Sequence, residues 1–150
     1  MKRVVCAAFL MLAAGCGGPP LATVEGVVTL EGKPLADVEV QFLPDPAQGT
    51  TGPPASAYTD RDGRYRVEAA GTVGVVVGKH RVCVNDATLM MPGNGFDPED
   101  GSPVTAAAAK AGPRKSRVPG VYSDATRTPF AAVEVRPGAQ TLDFALKLKP

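Results

Sequence analysis

The chain has 150 residues, 44% of them hydrophobic, with 16 Lys and Arg against 15 Asp and Glu, one His, three Cys and no Trp. That length supports one domain with a packed core. A formal net charge of +1 lacks the basic footprint of a nucleic-acid binder, so nucleic acid is excluded as a partner.

Lys2 and Arg3 form a basic start, followed by an apolar run of 11 residues, "VVCAAFLMLAA" (4–14). A helix needs about 20 residues to cross about 30 Å of hydrocarbon, so this run is the core of a secretory signal peptide. The next residues, "LAAGC" (12–16), resemble the lipobox of bacterial lipoprotein signals, with the leucine four residues before the cysteine rather than three. The resemblance implies a signal peptide at 1–15, cleavage before Cys16, and a diacylglyceryl group on its sulfur. The lipid would hold the protein to a membrane at about 0.8 kcal/mol per buried methylene. Gly17, where retained lipoproteins carry aspartate, implies the outer membrane, facing the periplasm. "GGPPLA" then reads as a tether, completing a lipid-anchored segment at 16–22.

Cleavage removes Lys2 and Arg3 and leaves 14 basic against 15 acidic residues. It also removes Cys6. With Cys16 lipidated, Cys83 is alone, and the domain at 23–150 stands on its core without an internal disulfide.

Strand signals dominate that domain. "TVEGVVTL" puts Val24, Gly26, Val28 and Leu30 on one face; after the turn residues "EGKPL", "ADVEVQFLP" puts Ala36, Val38, Val40 and Phe42 on one face. Residues 44–54 are loop by composition. "ASAYT" is a short strand, "TDRDG" a reversal, and "YRVE" a strand with Tyr65 and Val67 on one face. In "TVGVVVGKHRVCVN", His80, Val82 and Val84 point inward, and Arg81 and Cys83 the other way. Strands resume at "FAAVEV" and, after the turn "RPG", end in "QTLDFALKL" with Leu142, Phe144, Leu146 and Leu148 in line. Seven short strands without a helix of consequence predict an all-β, antiparallel sandwich.

Between 86 and 118 the periodicity disappears. An acidic patch (Asp97, Glu99, Asp100), an alanine run and a basic patch (Lys110, Arg114, Lys115, Arg117) read as a long insertion with solvated charges. Together with exposed edge strands it is the expected contact surface for partners.

"VEGVVTLEGKPLADVEVQFLP", "YTDRDGRYRV", "GKHRVCV", "VPGVYSDATRTPF" and "VRPGAQTLDFALKL" occur in this order. Together they resemble the carboxypeptidase regulatory-like domain, of the transthyretin-like (prealbumin-like) type. The likeness spans 24–148 apart from the loops at 44–54 and 86–118. It implies a seven-stranded Greek-key sandwich outside the cytoplasm, without intrinsic catalysis and without a cofactor, serving as a structural or protein-interaction module of the cell envelope. The alternative is a module binding envelope polysaccharide or calcium. A remote one is a hydrolase like hydroxyisourate hydrolase, which the resemblance ties to several histidines, an arginine and a C-terminal Tyr-Arg-Gly-Ser. This chain has one histidine and ends "LKLKP".

The candidate sites are few. Asp60 and Asp62 are weak calcium candidates: the EF-hand pattern D-x-[DN]-x-[DN]-G needs a third oxygen ligand and a later bidentate Glu. Here Gly63 follows Asp62 directly, so Asp45 or Asp124 would have to come near. The plain reading is a turn, since Asp accepts from backbone N–H groups two residues on and glycine tolerates positive φ. His80 reads as a packing residue, because a zinc site needs three or four ligands. Ser56, Ser102, Ser116 and Ser123 sit in no nucleophile elbow. Asn85 and Asn94 are misplaced for an isopeptide crosslink. Tyr122, Asp124, Thr126 and Arg127 are the densest polar stretch, expected to lead into the next strand with Tyr122 covering the sandwich edge.

Overall fold

The computed structural model describes residues 19–69, 72–90 and 115–149. Within them lie twelve short strands: β1 (Leu21–Leu30), β2 (Lys33–Pro34), β3 (Val38–Pro44), β4 (Ala55–Tyr58), β5 (Arg64–Arg66), β6 (Glu68–Ala69), β7 (Thr72–Val73), β8 (Val75–Val76), β9 (Gly78–Asp86), β10 (Val133–Val135), β11 (Ala139–Thr141) and β12 (Phe144–Leu146). Several are pieces of one run, as β5 with β6, β7 to β9, and β11 with β12. Apart from the two-residue β2, the expected seven segments result.

The strands form two facing sheets. In the first, β1 is central, with β11 and β12 on one side and β8, β5 and β2 in succession along the other. The second has the order β10-β9-β3-β4-β6-β7. Pairing is antiparallel except at one seam, where β11 and β12 run parallel to β1. Alternation sets what each strand buries: Val24 and Val28 of β1, Val38, Val40 and Phe42 of β3, and His80, Val82 and Val84 of β9 are all fully enclosed. Each large apolar side chain so buried stabilises the fold by about 1.5–3 kcal/mol. The ring of Phe42 meets that of Phe144 edge-on at 6.1 Å, joining the two layers. Every residue of this core lies between Ala22 and Leu146.

Three sequence expectations are corrected. The tether does not extend to residue 22: Leu21 and Ala22 already pair with Val76 and Val75, Ala22 is buried, and the Pro20 carbonyl accepts from the Val77 N–H at 2.9 Å. The domain therefore starts before residue 23, because a distant strand captures residues that look like linker by composition.

The reversal expected at "TDRDG" is present, but the strands it joins are not neighbours in one ladder. β4 pairs with β3 and β5 with β1, so the chain crosses there from one sheet to the other. It crosses back between β5 and β6.

The insertion is not loop from 86 to 118. Asp86 is the last residue of β9, opposite Val38; a single helical turn follows at Ala87–Met90; and Val118 is packed in the core. The acidic patch, the alanine run, Lys110, Arg114, Ser102 and Asn94 lie outside the described residues, as do the signal peptide and Cys16.

Candidate functional site

The acidic corner is built from its own backbone. Asp60 Oδ1 accepts from the N–H groups of Asp62 and Arg64, each at 2.9 Å, and the Asp60 carbonyl accepts from Gly63 at 3.0 Å. Gly63 adopts φ +70°, and a side chain there would press on the Val28 carbonyl, so glycine is required twice over. Neither helper for a cation is close. Asp45 lies past the far end of β3, about 23 Å of strand away from the Thr59 end. Asp124 is turned into its own loop, accepting from the N–H and hydroxyl of Thr126 at 2.8 and 2.6 Å. The Thr126 hydroxyl holds the Asp124 carboxyl below the usual carboxylate range. No cluster of three or more His, Cys, Asp or Glu suited to a metal exists among the described residues.

The other acids serve as struts. Buried Asp45 caps a 3-10 turn by accepting from Ala47 at 3.0 Å and pairs with Arg81 at 3.1 Å. Buried Asp86 takes three contacts from Arg117: backbone N–H at 2.8 Å, Nε at 3.1 Å and Nη2 at 2.7 Å. Arg117 Nη2 also reaches the Asp37 carbonyl at 3.1 Å. The guanidinium holds the Asp86 carboxyl far below its ordinary range, and Asp86 in turn raises the pKa of Arg117. Arg117, expected as a solvated charge of the basic patch, instead ties the two ends of the insertion together.

His80 is fully enclosed. Its Nδ1 lies 3.1 Å from the Gly78 carbonyl, and Nε2 has no partner among the described residues. Burial lowers its pKa. Cys83, on the opposite face, is covered by the segment after Val118, and burial raises its pKa, with Asp124 adding to the effect. Neither serine near this segment is poised as a nucleophile: Ser123 donates to the Val84 carbonyl at 3.0 Å and Ser116 to that of Val118 at 2.8 Å. Ser56 lies on the outer sheet face opposite Gln41. Asn85 is in β9 opposite Glu39, away from the termini. Tyr122 covers the sandwich edge as expected, stacking on Phe130 at 5.7 Å while its hydroxyl accepts from the Lys147 N–H at 2.9 Å.

Sequence reading missed a cleft among the described residues. Asp37, Tyr58, Ala87 and Thr88 line a largely apolar cleft of about 260 Å³. Asp37 adopts φ +56°, which turns the chain into β3, and Tyr58 is 62% exposed. The signal was an aromatic on the outer face of β4, opposite Glu39. Pockets with an aromatic wall and few polar groups are the usual form of a small-ligand site.

No protein-family model matches the chain, and no curated protein matches it. Among solved structures it is similar to a DUF3823 family protein from Parabacteroides merdae, with 16% identity and a TM-score of 0.40, over 85% of this chain and 46% of that one. The chain thus spans less than half the length of that protein.

Proposed function

We propose that this chain is a non-catalytic module of the cell envelope, anchored to a membrane by lipid on Cys16 and working through contact rather than chemistry. The reading places it on the outer membrane, facing the periplasm, as a carboxypeptidase regulatory-like domain. One observation carries it: among the described residues, the buried or paired side chains able to do chemistry are committed to holding the fold. Asp45 and Asp86 are paired with arginines, His80 is sealed in the core, Cys83 is covered, and Asp60 closes a corner. With Cys16 lipidated, the three residues between it and the pinned Pro20 would hold the domain within about 14 Å of the anchor.

Mass spectrometry of the native N-terminus tests the anchor. A diacylglyceryl cysteine from position 16 as first residue is expected; an unmodified Cys16 within an uncleaved chain overturns it. Capture of envelope proteins by the folded domain, lost when the contact surface is altered, tests the rest.

The cleft beside Tyr58 favours a second reading, a module for envelope polysaccharide. An exposed aromatic face suits the apolar faces of sugar rings. Binding of envelope polysaccharide that Tyr58→Ala abolishes without lowering the melting temperature would select it. Calcium has no such support in the geometry.

A further inference from the structure

The second sheet carries a polar outer face around β3. Alternation puts Glu39 and Gln41 of β3, Ser56 and Tyr58 of β4 and Asn85 of β9 on that face, opposite the buried Val38, Val40, Ala57 and Val84. The register sets them in two adjacent rows, Asn85–Glu39–Tyr58 and Gln41–Ser56. Tyr58 is exposed and the other four are half-buried. With strands about 4.8 Å apart and about 3.4 Å per residue, the patch is about 10 Å wide and, from Gln41 to Asp37 at the cleft, about 14 Å long. A short oligosaccharide has that size.

Among the described residues none of these five side chains has a hydrogen-bond partner. The residues that follow Tyr58 and Asn85 in the chain, Thr59 and Asp86, are by contrast fully engaged. Gln41 and Asn85 each offer one acceptor and two N–H donors, Glu39 accepts only, and Ser56 and the Tyr58 hydroxyl do both. A sugar ring is the complement of such a surface. Its C–H face is apolar and suits an aromatic, while its rim of hydroxyls both donates and accepts.

Charge narrows the class. Glu39 and Asp37 are the carboxylates at the patch, and Arg117, with Nη2 3.1 Å from the Asp37 carbonyl, offsets the second. That guanidinium is itself held by Asp86 at 2.7 Å. Arg81, one row further along β9, is held by Asp45 at 3.1 Å. The two rows therefore offer an anionic ligand no free cation, and Glu39 repels it.

We propose that this face, together with the Tyr58 cleft, binds a neutral glycan: a hydroxyl-rich chain without carboxylate, phosphate or sulfate. Tyr58 lies under one ring, and Gln41, Ser56 and Asn85 bond the hydroxyls of that ring and the next. The inference rests on the polysaccharide reading of the Tyr58 cleft and narrows it to one class of sugar, excluding acidic envelope polymers.

An array of immobilised oligosaccharides, neutral ones beside uronate-, phosphate- and sulfate-bearing ones, probed with the purified protein, tests it. Binding confined to neutral glycans is expected, and calorimetry with the best-bound glycan then compares variants. Gln41→Ala and Asn85→Ala should each weaken binding about threefold to tenfold, one hydrogen bond apiece, and Tyr58→Ala by more. Glu39→Lys should admit acidic glycans that the parent rejects. Since none of these side chains holds a partner in the fold, all four variants should melt like the parent. Binding confined to acidic glycans, or equal in the parent, Gln41→Ala and Asn85→Ala, overturns this inference and leaves the cleft reading standing. A protein that binds no glycan on the array overturns both.

Discussion

The Tyr65 hydroxyl donates to the Leu142 carbonyl at 2.6 Å, across the whole width of β1. That carbonyl leaves the ladder to do so, and the Val27 N–H it would have served is met by Asp143 Oδ1. Space for the arrangement comes from Gly26, where a methyl group would overlap the Leu142 carbonyl. Burial pushes the Tyr65 phenol far above its ordinary pKa. Tyr65→Phe orphans a buried acceptor and should cost about 1–3 kcal/mol in urea unfolding. Gly26→Ala should cost more, about 3 kcal/mol or above, because backbone has to move. If the alanine variant were the more stable of the two, this account of the seam would be wrong.

The Asp86–Arg117 pair should behave as a clamp on the insertion. Asp86→Ala leaves a partly buried guanidinium unmatched, and a double-mutant cycle with Arg117→Ala should give a coupling of about 1.5–3 kcal/mol, the lower end reflecting the exposure of the arginine. Asp86 has a depressed folded pKa, so its contribution is present above the unfolded carboxylate value near 3.8 and is lost as pH falls toward the folded value. Melting curves below pH 4 should therefore drop more steeply in the parent than in Asp86→Asn.

His80 gives a second pH dependence in a separate window. Its folded pKa lies below the unfolded value of 6.5, so the unfolded chain takes up the proton first. Stability from the neutral imidazole is complete above pH 6.5 and declines as pH falls through 6.5 toward the folded value. His80→Phe, which keeps an aromatic beside Phe42, should flatten the melting temperature across that window; an unchanged slope would assign it to another group.

At the acidic corner, Asp60→Ala removes an acceptor for two N–H groups and should destabilise by about 0.5–2 kcal/mol, by analogy with helix capping. Asp62→Ala, which breaks no hydrogen bond of the corner, should fall within about 0.5 kcal/mol of the parent. Millimolar calcium should leave the melting temperature of all three proteins in place. A rise of several degrees that vanishes with Asp62→Ala would restore the cation reading.

What the sequence revealed was the part governed by alternation. β1, β3 and β9 bury the residues their period of two assigns, down to His80 inside and Arg81 and Cys83 on the other face. Alternation says which face a residue occupies and nothing about which strand lies beside it. Hence the parallel seam with β1, the change of sheet after Asp60 and the capture of Leu21 by Val76 were invisible. The clamp was hidden for a related reason: Arg117 stands 31 residues from Asp86, within a stretch whose composition reads as solvated loop. The Tyr58 cleft escaped notice because it depends on the left-handed turn at Asp37, which a bulky strand pattern conceals.

The parallel seam has a mechanical meaning. Because β1 and the C-terminal run point the same way, Leu21 and Leu146 sit at opposite ends of one ladder, about 30 Å apart. Tension drawn between them loads the hydrogen bonds of the seam together, in shear, instead of peeling them off singly. A chain held at one end while something tugs on the other meets its greatest resistance along that line.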